Sequence, residues 1–353
     1  MAQLVSPSAP IHARWRIPDQ PRVRPIIALP WWPPFTAINA TAGRHLRLFN
    51  VLFGLYAASY AGEALRLPDR ELLVLRSSWN ARGYVAWGHH VNGNLLLGRR
   101  RDAIAAITAG PDHPSWDPRR AGLLRAVDEL YLTQEICRDT WSALDFTGPQ
   151  RIEICALTGF YEAFAMTTSS IGLPFDGWSG KPLRIAPLQP SLPEPTLPAT
   201  LLAVEPRESA TMPSLPWWPL PWLPQSAPLW KTLDRHPRMA ALLRLLRRTM
   251  IGHTKLPAAD ARLVTIRMLQ LCAAHTEWVR DEFDALEASI DYPLGDPILC
   301  AAVDELHTSH RITDHTWALL RDRYTDAQLI ELCVAAGTVR MVAMVANTLE
   351  AVD

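Results

Sequence analysis

The chain repeats itself. Leu29-Pro-Trp-Trp-Pro returns as Leu215-Pro-Trp-Trp-Pro, and Asp69-Arg-Glu-Leu-Leu-Val-Leu-Arg76 aligns with Asp260-Ala-Arg-Leu-Val-Thr-Ile-Arg267. At the same offset of 191, Trp87 falls on Trp278. Ala126-Val-Asp-Glu-Leu130 recurs unchanged as Ala302-Val-Asp-Glu-Leu306, Thr140-Trp141 as Thr316-Trp317, and Ile152-Glu-Ile-Cys155 as Ile330-Glu-Leu-Cys333. Matches this numerous and in one order mark a duplication. Whatever fold one half takes, the other half takes a version of it.

A proline-dense segment separates the halves. Thirteen prolines lie between Pro182 and Pro228, in text such as Leu188-Gln-Pro-Ser-Leu-Pro-Glu-Pro. Neither a helix nor a central strand tolerates that density, so the segment reads as an extended connector. The chain of 353 residues then divides into an N-terminal arm (1–35), a first domain (36–180), a linker (181–228) and a second domain (229–353).

Each domain reads as helical. Leu72, Leu75 and Trp79 recur at helical spacing, as do Leu263, Ile266 and Leu269. Leu123, Val127, Leu130 and Tyr131 mark another helix, and residues 152–170 a further one. Asp69, Asp117 before Pro118, and Thr325 or Asp326 suit helix starts. No alternating strand pattern with hairpin turns appears. The expectation is an all-α fold of two similar domains.

Lys+Arg and Asp+Glu both number 35, so the net charge is zero. The densest basic run, Arg99-Arg100-Arg101, is too short for a nucleic-acid face, and no nucleic-acid partner is expected. No apolar run approaches the ~18 residues of a membrane span, and residues 1–10 lack the order of a signal peptide. Cys137, Cys155, Cys272, Cys300 and Cys333 are scattered and odd in number, which suits reduced thiols. A cytoplasmic protein without a membrane partner is the expectation.

Residues 71–90 are the richest in chemistry: Glu71, Arg76, Tyr84, Trp87, His89 and His90 stand among apolar neighbours. A carboxylate that orients an imidazole makes a proton-transfer group for neutral pH. The planar fork of Arg76 suits a substrate carboxylate. Spacing alone equally allows a surface ion pair between Glu71 and Arg76, with His89 and His90 at a helix end.

The order Arg-Glu-Leu-x-x-Leu-Arg (70–76), Trp-Gly-His-His (87–90), Asp-Glu-Leu (128–130) and Gly-Phe-Tyr (159–161) resembles the carboxymuconolactone decarboxylase family, which includes the alkylhydroperoxidase D-like proteins. Leu233-Asp-Arg-His-Pro, Leu256-Pro, Glu277-Trp278, Asp304-Glu-Leu-His307 and Glu331-Leu-Cys-Val extend the resemblance to the second half. It covers roughly residues 40–175 and 230–350, and implies two tandem decarboxylase-like helical domains forming a pseudo-two-fold unit. Peroxidase-type members place a glutamate, two cysteines and a histidine at positions that fall here on Glu71, Gly83, Ala86 and His90. Both cysteines are missing, and a thiol peroxidase needs them. In the second half the same positions are Arg262, Ala274, Glu277 and Asp281.

The resemblance therefore implies the decarboxylase side of the family: a lyase or isomerase working on a small organic acid, lactone or enolisable carbonyl compound, with no metal or organic cofactor. Glu71 and His90 would be its acid/base pair, His89 a neighbour or substitute, and Tyr84 a donor to a developing enolate. Arg76, Trp87, His275, Glu277 and Trp278 would line the substrate site. Homo-oligomers through helical faces belong to the same expectation. Two rivals remain. One is a redox protein built on Cys272 and His275; the other is a non-catalytic ligand-binding or scaffold member. His307, His310 and His315 are close in sequence, but their spacing suits no standard metal site.

Overall fold

The computed structural model describes residues 22, 43–45, 47–48, 64–173, 175, 183, 185–197, 227–250, 254–273 and 296–350. Both Pro-Trp-Trp-Pro segments, and the stretch that holds His275, Glu277, Trp278 and Asp281, lie outside them. Among the described residues every regular element is helical. In the first half these are α1 (Leu67–Asn80), α2 (Tyr84–Leu96), α3 (Arg101–Ala109), α4 (Pro118–Thr133), α5 (Arg138–Ala143) and α6 (Gly148–Ile171). In the second they are α7 (Ala227–Leu233), α8 (Pro237–Met250), α9 (Ala258–Leu271), α10 (Pro297–Ser309), α11 (Asp314–Arg321) and α12 (Asp326–Glu350).

Equivalent helices start by the same chemistry. Thr147 caps α6, with Gln150 Oε1 accepting the Thr147 N–H at 2.9 Å; Thr325 and Gln328 repeat this at α12, at 2.8 Å. Asp117 caps α4 by accepting the Arg120 N–H. Asp69 does not cap α1. That helix begins earlier, with Pro68 in its first two positions, and leaves Asp69 in the first turn paired with Arg119 at 3.1 Å. Leu72, Leu73, Leu75 and Trp79 then turn into the core.

The longest helices, α6 and α12, cross at their glycines. A Cβ on Gly159 would lie 2.6 Å from Met341 Cα, and one on Gly337 would lie 2.6 Å from Ala163 Cα. Positions 159 and 337 correspond in the repeat, and so do 163 and 341. Other contacts between the halves return with the halves exchanged. His45 Nε2 lies 3.1 Å from Glu331 Oε2, and His236 Nε2 lies 3.5 Å from Glu153 Oε2. The Ile136 N–H donates to Thr348 Oγ1, and the Ile312 N–H to Ser170 Oγ. Such reciprocity is the mark of an isologous interface.

Residues 326–349 of α12 are long and apolar enough to cross a membrane by length and composition, against the expectation from sequence. The most apolar stretch of this helix is wholly buried, enclosed by α6, α9 and α10. A helix packed on all sides is apolar all round for the same reason a span is. The described part of the linker lies on the first half. Its Leu188 N–H donates to Thr108 Oγ1, Ser191 Oγ–H donates to Trp79 O, and Glu194 pairs with Arg82 at 3.4 Å.

Candidate functional site

α1 and α2 form a helical hairpin, and its tight turn decides what they bring together. α1 ends at Asn80; Arg82 adopts a left-handed backbone, with φ of 54°, and α2 starts at Tyr84. Gly83 has an ordinary negative φ, so it is not the residue that turns the chain. Its Cβ would lie 2.8 Å from the Ala165 Cβ, so glycine here lets the hairpin lie close against α6.

Folding back places His90 of α2 against Glu71 of α1. His90 Nδ1 lies 3.0 Å from Glu71 Oε2 and 3.3 Å from Oε1. One helical turn beyond His90, the Asn94 amide donates both to Glu71 Oε2 and to the His90 carbonyl. On the other side of the imidazole, the Tyr161 hydroxyl of α6 lies 3.0 Å from Nε2, with the two rings edge to face at 5.2 Å. Glu71, His90, Asn94 and Tyr161 are all buried. An ionised carboxylate only accepts hydrogen bonds, so it selects the tautomer with the proton on Nδ1 and leaves Nε2 as the acceptor facing Tyr161. Glu71 thus orients the imidazole, and its second nitrogen is shared with a phenol.

His89 points elsewhere. Its ring stacks on Phe175 at 4.5 Å, and burial, helped by the neighbouring His90, pushes its pKa down to about 4. It is neutral at pH 7. Tyr84 is buried at the first turn of α2, and the phenol that reaches His90 is Tyr161 instead. Trp87 is a core residue, its ring 5.0 Å from that of Trp79.

Arg76, expected as a substrate clamp, is engaged in holding helices together. Its Nε and Nη2 donate to the two oxygens of Asp128 at 2.6 and 2.8 Å, and Nη1 donates to the Ile107 and Thr108 carbonyls at the end of α3. The second half repeats the pair: Arg267 Nε and Nη2 meet Asp304 at 2.6 and 2.7 Å. A bidentate pair kept in both halves joins α1 to α4 and α9 to α10.

A second polar cluster lies where the halves meet. Arg340 Nε donates to Glu162 Oε2 at 2.7 Å, Nη2 donates to the Tyr131 carbonyl at 2.8 Å, and Nη1 lies 2.9 Å from His307 Nδ1. His310 Nε2 lies 3.0 Å from the same Glu162 oxygen. Burial by itself would raise the Glu162 carboxyl, but Arg340 and His310 together hold it below its ordinary range. Burial, and then the charge of Arg340, push His307 down to about 2. His307 and His310 are therefore tied to Arg340 and Glu162 rather than gathered about a shared point. Cys272, at the end of α9, is fully buried, and that burial pushes its thiol up to about 12.

Tyr161 and Asn94 were not singled out by residue-level reasoning. Asn94 had a signal, since it follows His90 by one helical turn and so shares its face. Tyr161 is brought in by long-range packing of α6 on the hairpin, which no local spacing announces. No protein-family model matches the chain, and no curated protein matches it.

Proposed function

We propose that Glu71, His90 and Tyr161 form the acid/base centre of a cofactor-independent enzyme of the lyase or isomerase type, acting on a small organic acid, lactone or enolisable carbonyl compound. The single observation that carries this reading is the continuous line from the Glu71 carboxylate through both nitrogens of His90 to the Tyr161 hydroxyl. In a decarboxylation, carbon dioxide would leave with its electron pair remaining as an enolate, and the His90–Tyr161 face would return one proton to carbon. In an isomerisation, the same face would take a proton from one carbon and return it to another. In the isomerisation Glu71 holds the ring and stabilises the imidazolium that forms; in the decarboxylation Glu71 holds the ring while the Tyr161 hydroxyl gives its proton to carbon and is reprotonated from solvent.

The wider reading is of tandem domains, 36–180 and 229–353, that resemble the carboxymuconolactone decarboxylase family and pack as a pseudo-two-fold unit. The exchanged contacts across α6 and α12 support it, as does the glutamate–histidine pair at the positions the resemblance names. In the second half the positions matching Glu71, His90 and Tyr161 hold Arg262, Asp281 and Val339, so the chemistry belongs to the first half. A soluble cytoplasmic setting accompanies this reading. The thiol rival is disfavoured, because a thiol held near 12 supplies little thiolate. The non-catalytic rival draws on one observation: the four polar side chains of the site satisfy one another within a buried network.

The test is a panel of β-keto acids, lactones and enolisable acids in deuterated buffer, read for carbon dioxide release and for deuterium entering carbon. Turnover in the parent should fall about 10²–10⁴-fold in Glu71→Gln, His90→Ala and Tyr161→Phe, the usual worth of acid/base catalysis. Turnover unchanged in all three would remove the assignment.

A further inference from the structure

An acid/base centre for organic acids needs a cation to hold the acid, and Arg76 is committed to Asp128. A different arginine stands beside the centre. α2 ends at Leu96, and the chain turns through Gly98, whose φ of 84° suits glycine. The Arg99 N–H donates back to the Asn94 carbonyl at 2.9 Å, so Arg99 is fixed to the same turn of helix that carries the clamp on Glu71. Arg99 is half-buried. Among the described residues its guanidinium makes one long hydrogen bond, from Nη2 to the Pro68 carbonyl at 3.5 Å, and is in ion-pair contact with no carboxylate. The carboxylate that acts on it most strongly is Glu71, through space, ahead of Asp69. Asp69 is itself paired with Arg119.

The neighbouring cations are used differently. Arg100 is exposed and held bidentately by Asp102; Arg119 and Arg120 pair with Asp69 and Asp117. A partly buried guanidinium with no described carboxylate against it is favoured by the arrival of an anion. Arg99 has planar donors that no described anion takes up, and its Nη2 reaches the Pro68 carbonyl one turn before Glu71 on α1.

We infer that Arg99 is the anchor for a substrate carboxylate, holding a small mono- or dicarboxylate against the Glu71–His90–Tyr161 centre. This rests on the acid/base reading for its role in turnover, but the binding it describes stands apart from catalysis. It narrows the substrate class from carbonyl compounds in general to those carrying a free carboxylate. A lactone or keto compound without one would lack the anchor.

The test uses succinate, which binds without reacting, followed by calorimetry on the full-length protein, with dimethyl succinate as the uncharged comparison. The parent should bind succinate saturably and prefer it to the diester. Arg99→Met should weaken succinate roughly 10- to 100-fold, the range for losing charged hydrogen bonds, and leave the diester unchanged. Arg99→Lys should recover part of the loss, and Arg100→Met should bind as the parent does. Melting curves of Arg99→Met are expected to match the parent, since the side chain carries one weak hydrogen bond among the described residues. His90→Ala should still bind succinate, so loss of turnover in that variant with binding kept leaves the anchor standing. No saturable succinate binding by the parent, or equal binding by Arg99→Met, overturns the inference, whatever becomes of the acid/base centre.

Discussion

Replacing Arg340 with Met should be among the most damaging single changes in this chain. Arg340 has no exposed surface, and its guanidinium meets the Glu162 carboxylate, the Tyr131 carbonyl and His307 within 2.9 Å. Methionine keeps much of the volume but strands Glu162, which is equally enclosed and keeps His310 as its remaining described partner. Breaking a buried pair from one side costs about 3–5 kcal/mol, most of it the penalty of the uncompensated charge. Neutralising the stranded partner should therefore return stability: Glu162→Gln added to Arg340→Met is expected to recover about 1–3 kcal/mol. Urea denaturation at pH 7, followed by tryptophan fluorescence, measures both. Arg340→Met within about 1 kcal/mol of the parent, or a double variant weaker than the single one, would refute the argument. Positions 162 and 340 correspond in the repeat. At this crossing one half presents an anion and the other a cation, so each half fits its partner better than a copy of itself.

Gly337→Ala should cost about 1–3 kcal/mol, because the new methyl would meet the Ala163 backbone at the crossing of α6 and α12 and neither helix can yield alone; a melting temperature equal to the parent's would show that the crossing is looser than it stands here. Stability should also fall on acidification. The ordinary histidine value is 6.5, and folded His307 takes a proton only near 2, so between those values the unfolded chain binds more protons and gains on the folded one. His89 adds to the trend between 6.5 and about 4, and Glu162 adds to it below the usual carboxylate range. The loss per group approaches about 1.4 kcal/mol per pH unit. Urea midpoints from pH 7.5 to 5 should drop, and less steeply in His307→Gln; a rise on acidification would contradict the sign.

Much of this architecture was written in the repeat. The helical spacing of Leu72, Leu75 and Trp79, and the threonine starts of α6 and α12, are local properties that a single sequence carries. The Glu71–His90 contact was legible because both residues sit on one hairpin. Arg76 was misread for the opposite reason. Its partner Asp128 is 52 residues away, and at five residues from Glu71 it looked like a neighbour on one helix. The repeat held the needed signal: Arg76 and Asp128 both recur, as Arg267 and Asp304, whereas Glu71 and His90 do not. A pair kept in both halves is structural, and a pair kept in one is a candidate for chemistry. Arg99 stands in a basic run that is legible only by its length, since partial burial and the lack of an ion-pair partner among the described residues are properties of the fold.

The most direct measurement of the central claim is which nitrogen of the neutral His90 ring carries the proton, read by 15N NMR of the imidazole. The Nδ1–H tautomer is expected, with Nε2 accepting from Tyr161, and that preference should be lost in Glu71→Gln. Tyr161→Phe should shift the Nε2 resonance and leave Nδ1–H in place. A wild-type ring carrying its proton on Nε2, with Nδ1 bare towards Glu71, would mean that the glutamate is not the orienting carboxylate, and the proposed centre would fall with it.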